Sequence, residues 1–278
     1  MKKTLITGVA GFIGFYAAKR ELEKGNYVIG VDNLNNYYEP KIKKDRLNIL
    51  KKEKNFSFFK EDLNNKNFYK KLKKYLKDIE VVIHLAGQAG VRYSIKNPES
   101  YILNNILAYI KLLEFFKFSK KLKTILYASS SSVYGEKGEN TLSNISVNKP
   151  VSVYSASKIS MELISNVYSK LYSMNLIGMR FFTVYGPWGR PDMSYFKFLI
   201  LNKKKKYIEI YNFGKHQRSF TYIDDLVSNM FKILSFYKKT KKRGDSSVFN
   251  LGNEKTIKLM NFLKILEKVT NIKFKKKF

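Results

Sequence analysis

The sequence predicts an α/β fold, a doubly wound parallel sheet with a smaller C-terminal substrate-binding region, and three observations carry that reading. Short, continuously apolar runs alternate with amphipathic helical stretches through the first 186 residues, the first run leads straight into a glycine-rich turn, and the rhythm becomes irregular after Pro187. Strands that are apolar on both faces and separated by helices belong to a parallel sheet covered on both sides. The expected division is therefore residues 1–186 for the sheet domain and 187–278 for the substrate-binding region.

In order, TLIT (Thr4 to Thr7) reads as a strand and Phe12 to Lys24 as a helix that stops near Gly25. YVIGVD (Tyr27 to Asp32), NFSFFKED (Asn55 to Asp62) and EVVIHLA (Glu80 to Ala86) read as the next three strands. Asn104 to Lys117 has helical character, and KTILYASS (Lys123 to Ser130) is a fifth strand. Tyr154 to Ser173 forms a long helical stretch, and LIGMRFFTVYG (Leu176 to Gly186) a further strand. Beyond GPWGRPD come a short helix, Tyr195 to Asn202, and then strands and helices at wider spacing.

Composition narrows the function. The 278 residues are 44% hydrophobic, enough for a sizeable core. With no Cys there is no disulfide scaffold, thiolate metal site or Cys nucleophile, and with only His84 and His216 no metal site is expected. In MKKTLITGVAGFIG the apolar run is broken by Thr7, Gly8 and Gly11 and no small-residue cleavage site follows, so it is not read as a signal peptide. No apolar run reaches about 18 residues, so no membrane span is expected, and the chain is read as cytoplasmic.

Lys+Arg number 53 against 22 Asp+Glu, a formal net charge of +31. Such a charge points toward nucleic acid when it is gathered on one face. Here the Lys clusters recur along most of the chain, from Lys41 to Lys54 through to Lys273 to Lys277, so they read as solvated surface. No specific nucleic-acid partner is expected.

Gly8, Gly11 and Gly14 form a G-x-x-G-x-x-G turn that follows the first strand and opens the first helix, with Phe12 and Ile13 inside it. Glycines let the backbone turn tightly and a pyrophosphate approach closely, where the helix N-terminus offers unpaired N–H groups. Asp32 ends the second strand, where a carboxylate accepts hydrogen bonds from an adenosine ribose and repels a 2′-phosphate. NAD is therefore expected over NADP. Asp62, at the end of the third strand, is placed to reach the adenine.

Tyr154 and Lys158 stand four residues apart at the start of a helix, hence on one face. A phenol becomes a base at neutral pH only if its phenolate is stabilised by about 4 kcal/mol, which a neighbouring ammonium and a cationic nicotinamide could supply. Ser129 to Ser132 close the fifth strand at the edge where doubly wound sheets bind ligands. A hydroxyl there can hydrogen-bond a substrate oxygen as it gains and loses its proton. His84, inside VVIHLA, reads as a buried structural histidine.

Taken together, TGVAGFIG, Asp32, HLAGQAG, YASSSSVYG and YSASK resemble the extended short-chain dehydrogenase/reductases, and among them the NAD-dependent nucleotide-sugar epimerases. GVRYS, RFFTVYGPWGRPDM and QRSFTYIDD make the chain similar to the UDP-glucuronate 4-epimerases, from residue 1 to about residue 265. The resemblance implies a Rossmann fold, resident NAD, a UDP-sugar substrate and a homodimer. It implies Tyr154, Lys158 and Ser130 as catalytic residues, and Asn33, Leu63, Leu85, Ala86 and Asn105 near the cofactor beside the residues above. Ser131, Ser132 and Thr183 would line the substrate, with Arg190 as a further grip on its carboxylate. Arg190 and Arg218 also suit the UDP diphosphate or uridine end, and Arg92 is a further substrate-binding candidate.

The implied chemistry is oxidation at the sugar C4, turnover of the 4-keto sugar and reduction on its other face. The positions at which related dehydratases carry an Asp-Glu pair are Ser131 and Ser132, which disfavours dehydration. UDP-glucuronate decarboxylation and 4-epimerisation of another UDP-sugar stay open, as does a non-catalytic or nucleic-acid-binding protein. Relatives of this kind continue beyond KILEKVTNIKFKKKF, so the last part of the substrate region is expected to be missing.

Overall fold

The structure, a computed structural model, describes residues 2–140, 149–240 and 243–278. Its strands are β1 (Lys3–Thr7), β2 (Tyr27–Asp32), β3 (Phe56–Lys60), β4 (Ile79–His84), β5 (Thr124–Ser130), β6 (Leu176–Phe181), β7 (Thr183–Tyr185), β8 (Ile208–Glu209), β9 (Gln217–Tyr222), β10 (Val248–Leu251), β11 (Thr256–Lys258) and β12 (Lys276–Lys277). Its α-helices are α1 (Phe12–Glu23), α2 (Pro40–Leu50), α3 (Lys66–Leu72), α4 (Val91–Lys96), α5 (Glu99–Tyr101), α6 (Ala108–Phe116), α7 (Val153–Tyr172), α8 (Ser194–Lys203), α9 (Ile223–Lys239) and α10 (Leu259–Thr270).

The large sheet has the order β10-β6-β5-β4-β1-β2-β3, with every neighbouring pair parallel. Strand side chains alternate between faces, and here both faces are apolar. Ile6, Val81, Ile83 and Leu126 pack against α1, α2 and α9 on one side. Leu5, Val82, Ile125 and Tyr127 pack against α3, α6 and α7 on the other. The strand order reverses between β1 and β4, which opens a crevice at the carboxyl ends of the strands. The expected doubly wound parallel sheet is thus the observed one.

Three stretches differ from the sequence expectation. The single strand expected over Leu176 to Gly186 is two strands: β6 stays in the large sheet, and β7 joins the separate sheet β11-β9-β7. Phe182, between them, packs with Val133 and Tyr134 beside the site, so the chain changes sheets at the crevice. The helix expected from Asn104 begins as a π-turn, Ile102–Leu107, before α6. The helix α2 falls in a stretch that composition presents as solvated lysines, yet Pro40 at its start and the Glu39 side chain accepting the Lys41 N–H mark its N-terminus.

Two elements from beyond residue 187 belong to the large sheet. β10 pairs with the edge of β6, and α9 seals one face with Ile223, Leu226, Met230 and Leu234. The remaining C-terminal elements form a small body around Ile208, Ile210, Leu263 and Phe274. Among the described residues, no helix is long and apolar enough to cross a membrane.

Candidate active site

The glycine-rich turn lies at the switch point. Gly8 has a φ of +70°, and a Cβ there would stand 2.6 Å from the Ala86 nitrogen. A Cβ on Gly14 would stand 2.1 Å from the Gly8 oxygen. Neither position admits a side chain without moving backbone, so the glycines hold the turn tight against the end of β4. Asp32 is buried at the end of β2, where its carboxylate accepts the N–H groups of Ala10 (3.1 Å) and Leu34 (2.8 Å). Burial pushes its pKa up, while those two N–H donors and the nearby Lys43 and Arg46 oppose the rise.

A cavity of about 270 Å³ runs along the crevice. It is lined by Gly8, Gly11, Phe12, Ile13, Gly14, Asp32, Asn33, Asp62, Leu63, Leu85 and Ala86 at one end, and by Ser130, Tyr154, Lys158 and Arg190 at the other. Every cofactor-side residue expected from the sequence lies on this wall except Asn105. That side chain is fully buried behind it, accepting the Gln88 N–H (2.7 Å) and donating to the Gln88 carbonyl (3.1 Å) and Ser157 Oγ (2.9 Å). Asn105 therefore shapes the loop after β4 instead of lining the cavity, and it does so from the π-turn, an irregularity common at functional sites.

Tyr154 and Lys158 sit on the first turns of α7, whose start is closed by Ser152 and Ser155 in a reciprocal capping box. The Ser130 hydroxyl neighbours the Tyr154 phenol. Burial raises the phenol pKa, and Ser130 and the Arg190 charge pull it back. The expected ammonium–phenol partnership is looser than the spacing implies: Lys158 Nζ is 6.0 Å from the Tyr154 ring centre and donates to the Ala128 carbonyl at 2.8 Å. Burial lowers the Lys158 pKa to about 8, against the opposing charge of Glu162. His84 is buried with Nδ1 2.8 Å from Thr7 Oγ1 and its ring stacked on Tyr109, the structural role read from the sequence.

The substrate-side residues divide. Arg190 comes to the Tyr154 end of the cavity, with its guanidinium forked onto Asp192 (2.9 and 2.6 Å) and Tyr37 donating to the same carboxylate at 3.1 Å. Arg92 and Arg218 line a second cavity of about 340 Å³, with Asp192, Lys197, His216 and Phe220. Arg190 and Arg218 line different cavities, which meet at Asp192: its carboxylate takes the Arg190 guanidinium and lines the second cavity. Ser131 and Ser132 begin the 3₁₀ run after β5, and the Ser132 hydroxyl is buried without a partner among the described residues. Thr183 opens β7, between the cavity-lining Phe182 and Val184.

Residues not singled out in the sequence also shape the site. Arg46, fully buried, donates to the carbonyls of Ala10 (2.8 Å) and Trp188 (2.6 Å) and to the Tyr38 hydroxyl (2.8 Å). Lys43, Tyr37 and Tyr38 line the cavity wall beside Asp32. Their signal was present in the Glu39-Pro40 helix start, which positions this whole segment.

A parallel sheet of this order with a glycine turn at its switch point, and a Tyr, a Lys and a Ser gathered at the strand ends, defines a Rossmann-type site of the short-chain dehydrogenase/reductase kind. The chain belongs to the NAD dependent epimerase/dehydratase family, whose model matches residues 4–252. It is 42% identical to Protein CapI of Staphylococcus aureus over 280 residues, covering 95% of this chain and 82% of that one. It is 41% identical to UDP-glucuronate 4-epimerase 6 of Arabidopsis thaliana over 283 residues, covering 98% of this chain and 61% of the other. The solved UDP-glucuronic acid 4-epimerase from Bacillus cereus, in complex with UDP-glucuronic acid and NAD, superposes with a TM-score of 0.89 at 34% identity, covering 99% of this chain and 85% of that one.

Proposed function

We propose that the protein is an NAD-dependent 4-epimerase of UDP-sugars that interconverts UDP-glucuronate and UDP-galacturonate. The observation that carries this reading is one cavity holding the Gly8–Gly14 turn and Asp32 at one end and Ser130, Tyr154 and Lys158 at the other, in a chain so similar to an enzyme solved with UDP-glucuronic acid and NAD.

The residues fit the cofactor. The glycines leave a cradle that any Cβ would fill, Asp32 presents a carboxylate to a ribose, and Asn33, Asp62, Leu63, Leu85 and Ala86 line the walls. When bound, NAD supplies reversible hydride acceptance. The chain's own part is proton and charge control. Tyr154 Oη takes the proton of the sugar 4-hydroxyl and returns it, with Ser130 hydrogen-bonded to that oxygen. Lys158 and Arg190 supply positive charge near the phenolate. Ser131, Ser132, Thr183 and Arg190 hold the sugar carboxylate, and a held carboxylate resists loss as CO2 from the 4-keto sugar. Arg92 and Arg218 take the UDP end in the second cavity. Reduction on the opposite face restores the redox state.

The same reading includes a homodimer. Leu163, Val167 and Leu171 recur every fourth residue along α7 and are 63%, 52% and 68% exposed. A second copy would cover this stripe, as contiguous apolar surface usually marks an interface.

The test is incubation with UDP-glucuronate and NAD, with products separated by anion-exchange chromatography. UDP-galacturonate is the expected product; CO2 with a UDP-pentose would establish decarboxylation instead, and no product would overturn the reading. A particle mass of one chain in light scattering would overturn the dimer.

A further inference from the structure

Behind the catalytic residues lies a buried charged network that the chemistry above does not use. Glu162 follows Lys158 by four residues and Tyr154 by eight, so all three share one face of α7. Arg180 of β6 grips Glu162 with two nitrogens, Nε to Oε1 at 2.9 Å and an η nitrogen to Oε2 at 2.7 Å, and the two side chains are only 15% and 8% exposed. Ser129 donates its hydroxyl to Glu162 Oε1 at 2.5 Å, and Ser129 stands directly across the β5–β6 ladder from Arg180. The remaining η nitrogen of Arg180 donates to the Tyr134 hydroxyl (2.9 Å), which donates to Asn250 Oδ1 (2.5 Å) on β10.

We infer that Glu162, held by Arg180, is a positioning residue that fixes the serine end of β5 and the ammonium of Lys158 relative to Tyr154. The inference rests on the functional reading above. Ser129 is the residue before Ser130, which neighbours the phenol, and the residue after Ala128, whose carbonyl receives the Lys158 ammonium. A single carboxylate therefore anchors the strand end that contacts both catalytic side chains. Packing does not require a charge here, because a buried ion pair replaced by apolar groups of similar volume is often neutral or stabilising.

Electrostatics point the same way. Burial draws the Lys158 pKa down, and the Glu162 charge is what opposes it. The groups facing this pair are Tyr154 on α7, His84 on β4, Tyr127 on β5, Arg180 on β6 and Tyr134 in the 3₁₀ run. Among the causes that act on Lys158, Glu162 is the one carboxylate.

The test compares wild type with Glu162→Gln, which can still accept from Ser129 but carries no charge. The expected result is an alkaline limb of kcat moved down by about one pH unit, kcat at neutral pH reduced roughly tenfold, and the KM for UDP-glucuronate within about twofold. Independently of turnover, the Lys158 resonance, assigned with Lys158→Arg in 13C-lysine-labelled apo protein, should titrate at lower pH in Glu162→Gln. Should that variant not fold, Glu162→Leu combined with Arg180→Met removes both charges and should show the same two displacements. Folded variants with an unmoved Lys158 titration and wild-type pH profile would overturn the inference. A wild type that titrates as expected but makes no product would overturn the functional reading and not this one.

Discussion

Arg46 reaches the carbonyl of Trp188 at 2.6 Å while its other η nitrogen donates to the carbonyl of Ala10 at 2.8 Å, joining the glycine-rich turn to the loop that carries Arg190. The two walls of the cavity are thus tied by one fully buried guanidinium. Arg46→Met keeps the length of the side chain but leaves both carbonyls without that donor. An unsatisfied buried polar group costs about 1–3 kcal/mol, so the melting temperature should fall on the order of 5–10 °C. Calorimetry measures it, and an unchanged melting temperature would remove the claim that Arg46 ties the walls.

Tyr154→Phe removes the phenol oxygen and leaves the ring in its contact with Tyr101. A positioned acid–base group contributes about 10²–10⁴-fold, so kcat should fall by that order while NAD stays bound. Retained NAD is read from absorbance after denaturing the purified protein. A variant that turns over at the wild-type rate would show that another group moves the proton.

The pH dependence of stability should carry the signature of His84. Burial, and then the Lys158 charge, lowers its pKa to about 3 in the folded protein, below the ordinary value of 6.5. Between those values the unfolded chain binds more protons than the folded one, so this contribution is complete above about pH 6.5 and is lost as pH falls toward 3. The full loss is on the order of 5 kcal/mol. His84→Gln cannot take up the proton, so its urea midpoint should fall less than that of wild type between about pH 7 and about pH 4.5. Parallel curves for the two proteins would mean that His84 does not control acid stability.

How much of this was legible depended on the kind of signal. The strands β1, β2, β4 and β5 stand out because both faces of each are largely buried, which leaves nearly continuous apolar runs, while the half-buried edge strand β3 is legible from its aromatic residues; β6 and β7 form one such run, and nothing in it marks Phe182 as the change of sheet. The cofactor wall was legible because Gly8, Gly14 and Asp32 are demanded by local backbone geometry. Arg46 and Lys43 were hidden in a lysine-rich stretch whose composition resembles solvated surface, although both are buried. The places of Asn105 and the Lys158 ammonium depend on tertiary partners (Gln88 and Ala128) that lie 17 and 30 residues away in sequence, so spacing carried no information about them.

The separation of the two arginines gives the sharpest kinetic contrast. Arg190 faces Tyr154, and its charge lowers the phenol pKa that burial raises; Arg218 lines the second cavity, with its guanidinium on the Gln217 carbonyl at 2.8 Å. If the second cavity takes the UDP end, Arg218 contacts groups that do not change during the reaction, and removing uniform binding raises KM without changing kcat. Hydrogen bonds to charged groups contribute about 1.5–3 kcal/mol, so Arg218→Ala should raise the KM for UDP-glucuronate roughly 10- to 100-fold with kcat nearly constant. Arg190→Ala should lower kcat and shift its pH profile upward, since the phenolate loses a favourable charge, and raise KM as well, since the same guanidinium grips the sugar carboxylate. Steady-state kinetics on both variants across pH separates the roles. A change in KM alone at Arg190 with a loss of kcat at Arg218 would reverse the assignment of the two cavities.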